Sequence, residues 1–396
     1  MAKLIFSTLL GLVSLVECGW HPLPAPYTEE CLVNKENRYN PDDAKKLPWF
    51  TIDLEKPPYE RWNEVAVKYK TGIVDLIQVV KNLSFPYFHG KLIQWVDKNM
   101  APWDERLPQP YQDELKGIAN ATGVPLGEIV LYNIFYEIFT VCTSIVAEDP
   151  SGKLYHARNL DFGLFMEWDS NRHTWSLSEK LKPLVINVNW TKDGKLLYKS
   201  VNFAGFVGIY NGLRPNRFTI TANERFNIVG GYIGLLKWLL GIKPTAHWMT
   251  WATREVMENA GSFDEAVEQL SVVPLMSPVY FIVGGNKSGQ GKVITRGLSE
   301  LISVVSLNIS SPNGWYVLQT NYDPGTPPLY LDDRRTPGNK CMQTLGRSAV
   351  GFPGIFNVLS SKTNLNLLTT YTVLMQVDSS QFETYIQNCT GSCWFA

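Results

Sequence analysis

Between Glu60 and Phe139 the chain places apolar residues at three- and four-residue intervals, and after Cys142 the interval shortens to two. The first pattern belongs to one-faced helices and the second to half-buried strands. The stretches "RWNEVAVKYKTGIVDLIQVVKNL", "KLIQWVDKNM", "YQDELKGIANATG" and "PLGEIVLYNIFYEIF" therefore predict helices, with Pro125 suited to the first turn of the last. Downstream, "CTSIVAE" and "KLYHARNLDF" flank a tight Asp-Pro-Ser-Gly turn, and "LVINVNW" and "LLYKSVNF" flank Lys-Asp-Gly, a hairpin signal. "GFVGIYNGL", "RFTITANE", "VYFIVGG", "KVITRG" and "WYVLQTN" continue the strand series. Helices interrupt it at "YIGLLKWLLGI", at "WMTWATREVMENAG" and after Ser262, where Ser-Phe-Asp-Glu makes a capping box. Residues 20–50 read as Pro-rich and irregular. Short strands with helices in blocks predict an α+β layered sandwich, one large unit preceded by a helical segment.

The N-terminus departs from both periods. Lys3 is followed by an apolar run to Val16, and Val16 and Cys18 suit the small positions before a signal-peptidase cut, so residues 1–19 read as a cleaved secretory signal. No other run reaches about 18 apolar residues, so a soluble mature protein is expected. Six Asn-X-Ser/Thr sequons, at Asn82, Asn120, Asn189, Asn286, Asn308 and Asn388, agree with that route, the last with Cys389 in its middle position.

Charge narrows the partners. Lys and Arg total 36 against 37 Asp and Glu, a net charge of −1, which gives no case for nucleic acid or a polybasic anchor. In an acidic compartment the five histidines charge and carboxylates begin to protonate, turning the surface positive and attractive to anionic lipid. Cysteine parity is more informative still. With Cys18 in the signal, an odd set is left: Cys31, Cys142, Cys341, Cys389 and Cys393. In an oxidising compartment one thiol is left over. Cys389 and Cys393 are close enough to pair. Cys31 and Cys341 lie in loop-like sequence and are the expected second pair, although spacing permits other arrangements.

Cys142 then needs a base, because the thiolate is the nucleophile. A papain-like reading would enlist His173 or His247, and neither sits in the Asn- or Gly-rich loop such a histidine occupies. The other available base is the cysteine's own α-amine, with a reference pKa of about 7.7–8.0. That requires the Val141–Cys142 bond to be cut by attack of the thiol on its upstream carbonyl. Arg158 and Asp161, brought back by the turn, would stand beside the new terminus.

The set "CTSIVAED", "RNLDFG", "NERF", "QTNYD" and "LDDRRTP" resembles the acid ceramidase family, which belongs to the N-terminal-nucleophile amidohydrolases together with conjugated bile-acid hydrolases and N-acylethanolamine acid amidase. The likeness runs over essentially the whole chain. It implies an αββα sandwich, and a precursor that divides into a helical α chain (residues 20–141) and a catalytic β chain (142–396) tethered by Cys31–Cys341. Carried over, Cys142 is nucleophile and base, Arg158 and Asp161 support it, Asn321 is an oxyanion donor, and Glu224 and Arg334 line the site. The implied substrate is ceramide at an anionic membrane surface, with a sphingolipid activator protein (saposin) as partner, no metal or organic cofactor, and the lysosome as destination.

Each residue also has a plainer reading. A buried cysteine is ordinarily a small hydrophobe. Arg158 and Asp161 can form an ion pair, Asn321 precedes a Pro/Gly turn, Asp332 to Arg335 reads as a solvated loop, and His156 packs within the hairpin. Trp238, Leu239, Leu240, Trp248 and Trp251 exceed what a one-faced helix needs, and either pack in the core or expose a lipid-docking surface. An amidase for N-acylethanolamines, a lipid carrier with an inert thiol and a papain-like protease are the competing functions.

Overall fold

The computed structural model describes residues 31–34, 37–88, 107–137, 140–162, 168–226, 246–329, 332–391 and 393. Strand β1 (Trp49–Asp53) is followed by helices α1 (Asn63–Lys68), α2 (Lys70–Phe88), α3 (Tyr111–Thr122) and α4 (Leu126–Phe135). Gly123, at φ 71°, closes α3 with its N–H on the Ala119 carbonyl at 2.8 Å. Pro125 sits just before α4, as its N-cap, rather than inside the first turn.

The strand-rich part opens with β2 (Thr140–Glu148) and β3 (Leu154–Phe162), then β4 (Trp168–Asp169), β5 (Thr174–Trp175) and helix α5 (Ser176–Leu181). The hairpin of β6 (Val185–Lys192) and β7 (Lys195–Phe203) turns on Asp193 and Gly194, both at positive φ, as a tight two-residue turn demands. Strands β8 (Asn211–Arg214) and β9 (Phe218–Glu224) follow, then α6 (Met249–Asn259) and α7 (Phe263–Val272). Ser262 caps α7 by accepting the Glu265 N–H at 3.2 Å, and the Glu265 carboxylate accepts the Gly261 N–H in return at 2.7 Å. The chain ends with β10 (Val279–Gly284), β11 (Gly291–Arg296), β12 (Leu301–Ser306), β13 (Tyr316–Gln319), α8 (Arg335–Leu345), α9 (Phe352–Ser360), β14 (Thr369–Gln376) and β15 (Gln381–Ile386).

An eight-stranded sheet in the order β1-β6-β7-β8-β9-β10-β11-β12 faces a five-stranded sheet in the order β13-β2-β3-β14-β15. Helices α6 and α7 cover the outer face of the first sheet, and α8 and α9 that of the second. The layering is αββα. Ile145, Ala147, Ala157 and Leu374 pack outward with Phe352, Ile355 and Leu359, while Cys142, Leu160, Phe162, Tyr210 and Ala222 belong to the core between the sheets.

Two expectations change. The stretch before residue 50 is not wholly irregular, because β1 begins at Trp49 and pairs in parallel with β6. "GFVGIYNGL" is strand only from Asn211 onward. Before it, Asn202 donates to the carbonyls of Phe206 (3.3 Å) and Gly208 (2.9 Å), holding a turn where a strand was expected.

Candidate active site

Strand parity decides which groups meet the thiol. Successive side chains on a strand point to opposite faces. Across the β2–β3 ladder Cys142 pairs with Leu160 and Ser144 with Arg158, so Cys142 and Arg158 share the face turned to the other sheet. Asp161, three positions beyond Arg158, pairs with Val141 and lies on the opposite face. Arg158 and Asp161 are therefore not an ion pair. One Nη of Arg158 donates to the Cys142 sulfur, and the other donates to the carbonyls of Tyr210 (2.8 Å) and Ala222 (3.2 Å). Among the described residues no carboxylate neutralises this buried guanidinium.

Asp161 is held by other groups. Thr369 donates its hydroxyl at 2.6 Å, Asn366 its amide at 3.3 Å, and Arg334 reaches it at 3.4 Å. Arg334 also donates to Asn321 Oδ1 at 2.7 Å and makes two bonds to Asp332, at 2.9 and 3.0 Å. The same Asn321 oxygen accepts the Cys142 backbone N–H at 2.8 Å, while Nδ2 donates to the Glu224 carbonyl at 2.7 Å. Cys142 is thus fixed at its nitrogen by Asn321 and at its sulfur by Arg158. Cys142, Arg158, Asp161, Asn321 and Arg334 are all essentially sealed from solvent.

Burial pushes the Cys142 thiol up to about 11; Arg158 opposes this and Asp161 adds to it. Burial likewise pushes the Asp161 carboxyl up to about 6, against the pull of Arg334, Thr369 and Asn366. Burial works against the Arg334 charge, but Asp332 and Asp161 overcome it and hold the guanidinium above its usual range. The Glu224 residue keeps an edge in solvent, yet its carboxyl is surrounded densely enough that desolvation, with Glu137 nearby, drives it well above the carboxylate range. The Thr140 backbone N–H faces that carboxyl and partly opposes the rise.

All six sequence-derived site residues thus lie in one network, Glu224 joining through Asn321 and Thr140. Asp332 to Arg335 is not a solvated run: Asp332 grips Arg334, Asp333 accepts the Thr336 N–H at 2.9 Å to start α8, and Arg335 donates away from the site to the carbonyls of Asp323 and Thr326. Asp332, Thr369, Asn366 and Tyr210 were missed. Only Asp332, beside a chosen arginine, carried a sequence signal. His156 is buried between the hydroxyls of Thr219 (2.8 Å) and Thr221 (3.0 Å). His247 Nδ1 lies 3.1 Å from the Glu255 carboxylate, in a contact separate from this network.

Cys31 is bonded to Cys341 and Cys389 to Cys393, leaving Cys142 free. Asn120, Asn286, Asn308 and Asn388 are exposed and Asn189 is half-buried. The lipid-docking reading of Trp248 is corrected: at 2% exposure it is part of the core, and Trp251 stacks on Tyr111 at 4.4 Å. Trp238, Leu239 and Leu240 lie outside the described residues, as does the helix expected at "KLIQWVDKNM". No helix among the described residues is long and apolar enough to cross a membrane.

Two known families match consecutive parts of the chain. The beta subunit of N-acylethanolamine-hydrolyzing acid amidase matches residues 45–107, and the linear amide C–N hydrolases of the choloylglycine hydrolase family match residues 142–326, starting at Cys142 itself. The chain is 42% identical to Homo sapiens acid ceramidase over 97% of each chain. It is also 42% identical to Bos taurus acid ceramidase, over 99% of this chain and 98% of the other. The chain belongs to the acid ceramidase family. Among solved structures, the Caenorhabditis elegans ortholog of N-acylethanolamine-hydrolyzing acid amidase is 29% identical with a TM-score of 0.53, over 62% of this chain and 100% of that one. As a member of the acid ceramidase family the chain is an amide hydrolase.

Proposed function

We propose that the chain is made as a precursor, cuts itself between Val141 and Cys142, and then hydrolyses ceramide to sphingosine and a free fatty acid. The observation that carries this reading is the double hold on Cys142, nitrogen on Asn321 and sulfur beneath Arg158. The start of the linear-amide hydrolase match at residue 142 supports the same boundary, with a 20–141 α chain and a 142–396 β chain.

In the cut, the Cys142 sulfur adds to the Val141 carbonyl carbon and the peptide nitrogen leaves, giving a thioester. Water then releases the Val141 carboxyl, and Cys142 becomes a chain start with free thiol and amine. In turnover the amine takes the thiol proton as sulfur adds to the substrate amide. The oxyanion is met by Asn321 Nδ2 and the Arg158 charge; losing one such donor typically costs about 10²–10³ in rate. The ammonium then protonates the departing sphingosine nitrogen. Water cleaves the acyl thioester and the fatty acid leaves. Asp161, locked to Arg334, keeps that arginine and Asn321 in register.

The lysosome is the proposed site of action, with an anionic membrane presenting the lipid and a saposin as helper. A second reading, hydrolysis of N-acylethanolamines, is favoured by the 29% identical amidase ortholog. Turnover of ceramide and an N-acylethanolamine, side by side near pH 5, decides between them. Ceramide is expected to dominate, with both activities lost in Cys142→Ala; full activity in that variant contradicts the mechanism.

A further inference from the structure

The residues just ahead of Cys142 carry a carboxyl that the hydrolysis does not use. Glu137 is buried, and one of its oxygens accepts both the backbone N–H (3.2 Å) and the hydroxyl of Thr250, in the first turn of α6. The Met249 N–H adds to this. Among the described residues its other oxygen, Oε2, has no hydrogen-bond partner. One position earlier, the Tyr136 carbonyl accepts the Tyr210 hydroxyl, and Tyr210 is the residue whose own carbonyl holds Arg158. On the other side, the Thr140 N–H faces the Glu224 carboxyl and the Cys142 N–H is on Asn321. The chain leading into the bond to be cut is therefore tacked down at Tyr136, Glu137, Thr140 and Cys142.

We infer that Glu137 is a positioning residue for self-processing: by tying the approach to Cys142 onto the N-terminus of α6, it sets the Val141 carbonyl in register with the thiol. The N–H groups of a helix N-terminus can donate to an anionic or a neutral carboxyl oxygen in the same geometry, and here burial decides the form. It pushes Glu137 up to about 8, so at acidic pH the group is a neutral carboxylic acid. The titratable groups facing it are Glu224 on β9 and Tyr210 ahead of β8, both also raised by burial; the first turn of α6 brings none. The inference rests on the self-cleavage reading and goes beyond it, since that reading needs no residue upstream of Val141.

The test uses the full-length chain, following by mass the appearance of a Cys142 terminus across pH 5 to 9, with turnover per cut molecule measured separately. Glu137→Ala is expected to slow cutting at pH 5 by about 10–100-fold, the range of a small misplacement of reacting groups, while cut molecules keep the wild-type kcat and KM. Glu137→Gln mimics the neutral acid and is expected to cut at the wild-type rate at pH 5. It is also expected to keep cutting above pH 8, where wild type falls off. Thr250→Val, which removes only the hydroxyl donor, is expected to slow cutting several-fold and reads the same contact if the alanine variant does not fold. Wild-type cutting rates in both Glu137→Ala and Thr250→Val overturn the inference. So does a loss of kcat per cut molecule matching the loss of cutting, or equal slowing in Gln and Ala. An uncut wild-type chain that nevertheless turns over substrate sinks the self-cleavage reading itself, and this inference with it.

Discussion

The Arg158 guanidinium lies sealed in the protein against a thiol, with backbone carbonyls as its other partners and no neutralising carboxylate among the described residues. Asp161, its expected partner, is turned to the opposite face and spends its oxygens on Thr369, Asn366 and Arg334. Burial holds that carboxyl at about 6. Between its unfolded pKa near 4 and this folded value, the folded chain keeps a proton that the unfolded chain has lost, so the contribution is full at low pH and fades as pH rises through 6. The contribution is on the order of 3 kcal/mol, from about 1.4 kcal/mol per pKa unit. In a Cys142→Ala background that stays uncut, Asp161→Asn is expected to flatten the dependence of Tm on pH between 4 and 6; an unchanged slope contradicts the assignment. Asp332 is the other anchor. Asp332→Asn is expected to leave the fold intact and lower ceramide turnover by about tenfold, by loosening Arg334 from Asn321.

At the scale of elements, the N-terminal segment is built into the two-sheet sandwich. Strand β1 extends the large sheet by pairing in parallel with β6, and Glu114 of α3 makes a buried bidentate pair with Arg254 of α6, at 2.5 and 2.7 Å. Arg61 and Trp62 add bonds to the same carboxylate, at 2.9 and 2.8 Å. Glu114→Ala leaves the buried Arg254 and the half-buried Arg61 short of a partner and is expected to destabilise the protein by about 3–5 kcal/mol, read by denaturant unfolding. The long helices, the Cys142 hairpin and the Asp193-Gly194 turn were legible in the sequence because their signals are local: apolar period and turn residues. The opposed faces of Arg158 and Asp161 were not read, although their odd spacing on a strand carries the signal. Strands β1, β14 and β15 were not legible, because five- to eight-residue stretches take their partners from distant segments. The burial of Arg334 was likewise hidden. Its neighbours in sequence read as a loop, and only Asn321 and Asp161, brought in by other elements, draw it inside.

Across the whole molecule, the Cys31–Cys341 bridge is one of several links between the two halves. The proposed α and β chains also share β1–β6 and Glu114–Arg254, so a Cys31→Ser/Cys341→Ser protein is expected to elute as one particle in native buffer after cutting. The chains should separate only under denaturing conditions; separation in native buffer contradicts this packing. The raised carboxyls of Glu137, Asp161 and Glu224 all favour the folded state at acidic pH. The most direct measurement of the central claim is the intact mass and N-terminal sequence of the purified protein after incubation near pH 5. The account predicts two bridged chains, the larger starting at Cys142, and an undivided chain in Cys142→Ala. Fully active wild-type protein found as a single unbroken chain contradicts it.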